Sequence, residues 1–478
     1  MPKRRRTGFA AAGSGKRQRL DADAGPSTTV EVVNPEGGYA HPSLVDIFSV
    51  APTAPPEIEW IKLIDYYPEN TLDENNPSVD FNLLGSQLEF LDMGRGEMEL
   101  TGAVELATAG DDGSKKIGAN EHKKFAVTPM GMYGMWKDVE TSYNSIIVET
   151  SNGLLMWQNH SEMMTTMPQQ KIETEMAMAG VYFDSPGKMD SMTVTAGEND
   201  GLADVQTQWA LSAPVTWRGK IALHGILSSK KLLPLNVGVR IKYTRNKQEH
   251  LLRTAEGDKN KYKFVIKSIK LKIPKLRLSN ESALAIETQL QRQNAHYKVK
   301  KYLSTFITVP ANIQSQTITN LYSGASPLCT LITMLDSNDR FQGSMTKNSY
   351  MYSDNGVRKI RMNLDDESEM RDPIRVDDTN VTDAVQRLWE SFGYYHHPYK
   401  SCIINADNFN DGKQIYTFNG CNFYEIREDF YSILKRGNMI FQVDFKDKLN
   451  APIVVLVHMI FLTDVQITAD RRILHEYN

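Results

Sequence analysis

The chain is poor in cysteine: Cys329, Cys402 and Cys421 stand far apart and in no CxxC spacing. That excludes a disulfide scaffold or a zinc ribbon and suits a reducing compartment. Long apolar runs are also missing. The longest, Ala451 to Leu462, contains His458 and is too short to cross a bilayer. The opening MPKRRRTGF has no apolar signal region, so a soluble, intracellular protein is expected. On that expectation the glycosylation sequons at Asn159, Asn280 and Asn380 stay unused.

Catalytic signatures are lacking too. There is no HExxH and no GxSxG elbow. GSGK at Gly13 to Lys16 carries Arg17 where a phosphate loop needs Ser or Thr, and no strand precedes it. His396 and His397 are adjacent, so on a strand they point to opposite faces and do not chelate one metal easily. The carboxylate-rich loops Leu335 to Ser344 and Leu364 to Asp372 lack EF-hand spacing. The ten histidines are scattered, whereas a cupin-type metal site needs a cluster. These absences point to a non-enzymatic binding or structural protein with no cofactor and no metal.

At 478 residues the chain is too long for one compact core, and two domains are expected. Twenty Pro, thirty-one Gly and twenty Tyr, with few long helical patterns, lean toward β structure. Charge is unevenly spread. Lys3, Arg4, Arg5, Arg6, Lys16, Arg17 and Arg19 put +7 on residues 1–20 with no acid, leaving −11 on residues 21–478 from a total of −4. The body is therefore a poor broad surface for nucleic acid. Residues 1–42 are low in large apolar groups and are expected to form a disordered basic arm. Its two clusters, KRRR and KRQR, have the spacing of a two-part nuclear import signal. A solvated charge run, or an arm touching nucleic-acid phosphates, are the other readings.

Strand patterns follow at short intervals. Leu88 to Leu91 comes first, then Met98, Leu100, Val104 and Leu106 alternating with polar residues. Ser145 to Glu149 and Trp217 to Leu227 read as strands. The clearest, LNVGVRIKY, sets Leu235, Val237, Val239, Ile241 and Tyr243 to one side. Ser151 to Met167 has room for a helix, its methionines serving as packing or interface filler, and Ser185 to Asp204 is a long loop. In the second half, strands are expected at Tyr302 to Val309, Ser315 to Tyr322, Leu328 to Leu335 and Arg358 to Asn363. Asp383 to Tyr395 reads as a helix with apolar Val385, Leu388, Trp389 and Phe392, stopped at Gly393. Met439 to Phe445 alternates, and IVVLVHMIFL reads as a strand buried on both faces.

Between the halves, Tyr262 to Ser279 is a strand whose inward phase slips by one residue at Pro274, which predicts a bulge or an exposed edge there. Ala283, Ile286 and Leu290 then follow helical spacing, capped by Ser279 or Asn280 and stopped by a left-handed Asn294. Ala295 begins β structure again. The expected architecture is all-β, two tandem sandwiches joined by a short helix.

Several phrases carry a resemblance. SLVDIFSVAPT (Ser43 to Thr53), LLPLNVGVRIKYTRN (Leu232 to Asn246) and KFVIKSIKLKIPKLRLSNESALAIETQ (Lys263 to Gln289) lie in the first half. NDRFQGSMTKNSYMY (Asn338 to Tyr352), LKRGNMIFQVDF (Leu434 to Phe445) and DVQITADRRIL (Asp464 to Leu474) lie in the second. Together and in order they resemble the double jelly-roll, hexon-like major capsid proteins of Polinton and adintovirus-type DNA viruses. One departure is VETSYNSIIVE (Val139 to Glu149), where that family tends to carry an Asn-Gly turn.

The resemblance implies two eight-stranded jelly rolls, residues 43–294 with a C-terminal linking helix and residues 295–478. It implies homotrimers forming pseudo-hexagonal capsomers that tile an icosahedral shell, with penton or minor capsid proteins as further partners. The arm would then meet an import receptor or the genome during assembly in the host nucleus. The Met- and Tyr-rich segment Met130 to Trp136 suits partly apolar trimer contacts. The rival reading is a non-catalytic nuclear carbohydrate- or protein-binding β-sandwich protein.

Overall fold

Strand alternation decides where the layers lie. Met439, Phe441, Val443 and Phe445 are all buried, whereas Gln442 and Asp444 between them are only partly covered. Val239, Ile241 and Tyr243 are likewise buried against exposed Arg240. Each such strand presents one face to a core and one to the outside.

The computed structural model describes residues 58–475 except 73–75, 86–87, 111–112, 196, 235, 354, 366–367, 370–371, 377–380, 395–400 and 421–434. Its first eight principal strands are β1 (Ile58–Tyr66), β2 (Ser78–Leu83), β3 (Glu97–Leu106), β4 (Trp136–Tyr143), β5 (Ile146–Thr150), β6 (Val215–Lys220), β7 (Val239–Arg245) and β8 (Tyr262–Leu278). The next eight are β9 (Ala295–Val309), β10 (Ser315–Ala325), β11 (Cys329–Asp336), β12 (Val357–Leu364), β13 (Ile374–Arg375), β14 (Tyr416–Asn419), β15 (Arg436–Phe445) and β16 (Ile453–Ile467). Three helices matter below: α1 (Leu155–Thr166), α2 (Asn280–Leu290) and α3 (Thr382–Ser391).

In the first half the ladders run β1-β8-β3-β6 and β2-β7-β4-β5, all antiparallel. In the second they run β9-β16-β11-β14 and β10-β15-β12-β13. Adding eight to every label converts one set into the other. Two four-stranded sheets whose strands alternate between layers in this order make a jelly roll, and this chain contains two. No described ladder joins a strand before α2 to one after it. Both halves nevertheless belong to one compact unit, Glu57–Asn478, with a single continuous apolar core.

The joint differs from expectation in detail. The phase of β8 does slip at Pro274, between buried Ile273 and buried Leu276. Pro274 is no exposed edge, however. It pairs with Leu63 on one side and falls, on the other, between the end of the β3 ladder at Lys272 and the short segment Glu89–Leu91, which pairs Lys275 to Arg277. The missing N–H thus sits where the ladder changes partner. Ser279 caps α2, its hydroxyl accepting from Ser282 N at 3.2 Å. Asn294 does not end the helix in a left-handed conformation: α2 stops at Leu290, the positive-φ residues do not include Asn294, and its amide instead donates to Gln466 Oε1 at 2.9 Å. Ile286 is also exposed, so the expected apolar stripe is only Ala283 and Leu290.

Two strands are shorter than the patterns suggest. β6 ends at Lys220 before Gly225 turns at φ +79°, and Ile226–Ser228 forms a single tight turn. β7 begins at Val239, because Pro234 and Val237 close a turn ahead of it. The β4–β5 hairpin keeps its two-residue turn despite lacking Asn-Gly: Asn144 and Ser145 take φ +46° and +67°, the pair of positive values such a turn demands.

Candidate assembly surfaces and the junction between the rolls

The basic arm residues Lys3, Arg4, Arg5, Arg6, Lys16, Arg17 and Arg19 lie outside the described residues, as do His396, His397 and Cys421. Attention therefore falls on the surfaces where the rolls meet each other and where they meet solvent.

Helix α1 is the wedge between the rolls. Its hydrophobic periodicity is weak because nearly every side is covered. Leu155, Met156, Trp157, Met163 and Met164 are buried, but so are Gln158, Asn159, His160, Ser161 and Thr165. Buried polar groups require partners, and here the second roll supplies many of them. Gln158 Nε2 donates to Ser304 Oγ at 2.7 Å, and the same hydroxyl lies 2.7 Å from His458 Nδ1. Trp157 Nε1 donates to the Ser349 carbonyl at 3.0 Å. Ser161 and Tyr352 share a hydroxyl contact of 3.3 Å, and Tyr394 donates to the Thr165 carbonyl at 2.6 Å. Tyr302 hydrogen-bonds Glu162. Phe341 stacks on Trp157 with centroids 5.1 Å apart.

These contacts explain why IVVLVHMIFL is buried on both faces. His458 pairs with Ser304 across the β9–β16 ladder, and that face looks toward α1. The alternate residues Val455, Val457 and Met459 fall on the other face, and they too are buried. β15 and β16, consecutive in the chain, belong to facing sheets of the roll.

A second seam is ionic. Asp184, buried in the first roll, receives Arg253 Nη2 at 2.7 Å and Nη1 at 3.1 Å, Asn199 Nδ2 at 2.6 Å, and Asn348 Nδ2 of the second roll at 2.7 Å. Beside it, Arg340 forks onto Asp190 at 2.9 and 2.7 Å, and Asn348 N donates to the same carboxylate at 2.8 Å. Burial pushes the Asp190 carboxyl up, but the Arg340 and Asn348 hydrogen bonds outweigh it and hold it below its ordinary range. The carboxylate-rich loop beginning at Leu335 thus has structural work: Arg340 binds across the junction, while Asp336 Oδ1 caps the amides of Asn338 and Asp339.

Four histidines line the same boundary. The His160 ring lies 5.1 and 5.0 Å from those of Tyr350 and Tyr352, and that of His224 lies 4.4 Å from Tyr302. His250 Nδ1 is 2.9 Å from Ser349 Oγ. Burial drives the imidazoles of His160 and His458 down to about 3 and that of His250 down to about 4. All three are neutral at physiological pH.

The segment Met130 to Trp136 does not serve as an outer contact. Met130, Met132, Tyr133, Met135 and Trp136 are buried within the chain, and Asn159 Nδ2 of α1 donates to the Tyr133 carbonyl at 3.2 Å. Asn159 is thereby also closed to glycosylation. Apolar groups open to a neighbour lie elsewhere. Ile61 and Leu63, 57% and 60% exposed, sit on β1, whose outer edge carries no partner among the described strands. Leu284 and Ile286 of α2, and Ile146 and Ile147 of the β4–β5 hairpin, add to them. An open edge strand with outward apolar side chains is a surface that another chain can cover.

A groove of about 1360 Å³ opens on the second roll, lined by Arg358, Lys359, Arg375, Asp383, Arg387 and Asp444 among others, with no histidine or cysteine among the described residues of its wall. Arg387 is held there by Asp383 at 2.9 Å and by the Asp372 carbonyl. No group of three or more metal-ligating side chains occurs among the described residues.

No family model and no curated protein matches the chain in sequence. Solved structures do match its fold. A chain in the cryo-EM structure of the Sputnik virophage shares 10% identity at a TM-score of 0.59, over 96% of this chain and 94% of that one. A chain of the PBCV-1 virus capsid shares 8% identity at 0.53, over 90% and 99%. The mavirus major capsid protein shares 10% identity at 0.50, over 97% of each. The likeness runs through both rolls: the fold is the double jelly roll.

Proposed function

We propose that the chain is the major capsid protein of a DNA virus, and that three copies form a pseudo-hexagonal capsomer tiling an icosahedral shell. The observation that carries this reading is the repetition of one strand order in two rolls, matched along almost their whole length by chains of the Sputnik virophage and the PBCV-1 capsid. Two rolls side by side give one subunit two similar outer walls, so three subunits present six. The two rolls share one continuous core, while the β1 edge and the exposed apolar groups of α2 and the β4–β5 hairpin remain for neighbours. The ordered sequence phrases support a likeness to the Polinton and adintovirus type.

In this reading the unit boundary falls between Asn294 and Ala295. Penton or minor capsid proteins complete the shell. The basic arm of residues 1–20 takes the subunit to the host nucleus or lies against the genome. The chain acts as a structural protein, not an enzyme. Light scattering and electron microscopy of the purified protein test it: trimers and hexagonal capsomers are expected, and a stable monomer under all conditions would refute it.

A further inference from the structure

We infer that the junction between the rolls is a proton-operated latch: acidification releases helix α1 from the second roll while each sandwich stays folded. The inference concerns the single chain and stands apart from capsid assembly.

The placement of the histidines carries it. His160 on α1 packs on Tyr350 and Tyr352, and His224 on Tyr302. His250 meets Ser349, and His458 shares Ser304 with Gln158 of α1. Every one of these contacts lies on, or one hydrogen bond from, the boundary. His160, His224 and His458 are buried, and His250 is partly so.

The charges around His160, His250 and His458 offer a proton little welcome. His160 faces Lys413, itself beside Asp411, and also His458. His458 faces His224, and His250 faces Lys247 and Lys137. Nearby carboxylates are already engaged. Glu149 Oε1 is 3.8 Å from His224 Nδ1, but Oε2 already accepts from Ile226 N at 3.1 Å. Glu162 is taken by the Tyr302 hydroxyl. Among the described residues no carboxylate forms an ion pair with His160 or His458, so a proton there has no anion against it. It is accommodated by opening the boundary to water, which breaks the bonds of Gln158, Trp157 and Ser161. Met439, Phe441, Val443, Val455 and Val457, buried in the second roll, carry no titratable group.

Hydrogen-exchange mass spectrometry on the full chain, from pH 7 to pH 4.5 and corrected for intrinsic rates, tests the latch. Peptides covering 155–166 and 345–353 should lose protection about tenfold or more, while those covering 262–278 and 436–445 keep theirs. The double variant H160Q/H458Q should move the midpoint of that opening down by about one pH unit or more. The control H122Q, at a half-buried histidine whose Nδ1 lies 3.0 Å from the Ala119 carbonyl, should not move it. If the double variant fails to fold, H250Q, at the less buried edge, should still lower the midpoint measurably. Loss of protection in all four regions at one pH, or a midpoint indifferent to the folded variants, overturns the inference.

Discussion

Asp184 offers the sharpest test of how the first roll is held to the second. Its carboxylate is almost fully buried and accepts two donors of Arg253, one of Asn199 and one of Asn348 from across the junction. In Asp184→Ala the guanidinium stays buried with only the Met189 carbonyl to bind. An uncompensated buried charge of this kind costs about 3–5 kcal/mol. For a chain this long the urea dependence is about 3 kcal/mol per molar or steeper, so the unfolding midpoint should fall by about 1 M. Replacing both partners by apolar residues of similar volume, D184L/R253M, removes the stranded charge and should return the stability to within about 1 kcal/mol of the parent protein, a midpoint within about 0.3 M. In a double-mutant cycle each single change strands the other partner, so the two single costs should sum to well above the cost of the double variant. If the double variant is as unstable as Asp184→Ala, the charge pair is not what makes the site costly to break. The amides of Asn199 and Asn348 would then be the dominant loss, and a stranded guanidinium would no longer account for the cost.

Gly180→Ala should be among the most damaging small changes: φ is +80° and an added Cβ meets the Trp217 ring 2.3 Å away, so a loss of about 3 kcal/mol in thermal or urea unfolding is expected. The junction histidines also set a pH dependence. His160 and His458 sit near 3 when folded against an ordinary 6.5, so below 6.5 the unfolded chain binds more protons. Their contribution is full above pH 6.5 and shrinks toward pH 3, by about 2 kcal/mol each at pH 5. Urea midpoints at pH 7 and pH 5 should show this, with the difference reduced by about half of that sum in H160Q. Deleting residues 1–20 should abolish nuclear accumulation in transfected cells and leave trimers intact, whereas unchanged localisation would favour genome contact by the arm.

Much of the fold was legible because strand alternation is a local signal. Met439 to Phe445 and Val239 to Tyr243 declare their buried face within the strand itself, and both faces are as expected. α3 was equally plain, with Val385 and Leu388 buried and Gly393 at φ +72° just past its end. Errors arose where backbone geometry, not periodicity, sets the boundary. Gly225 ends the run after Trp217 although the apolar residues continue. Pro274 marks a change of ladder partner, which no reading of one strand reveals. The Asn144–Ser145 turn shows the reverse case, a motif altered while its geometry is kept.

The junction was hidden for a different reason. α1 lacks an amphipathic stripe because its polar residues are as buried as its apolar ones, and their partners lie far along the chain: Gln158 to Ser304 spans 146 residues and Trp157 to Ser349 spans 192. Read alone, MYGMW looks like an outer contact, yet it packs beneath α1, and NHSE packs against the second roll. The same composition has a physical consequence. An apolar junction would tolerate sliding of one roll over the other, since burial is non-directional. A junction built from Gln158, Ser304, His458, Asp184, Arg253 and Asn348 makes directional hydrogen bonds, and a slip that breaks them strands several buried polar groups at about 1–3 kcal/mol each. Two rolls of the same strand order are thereby held as one unit of fixed geometry.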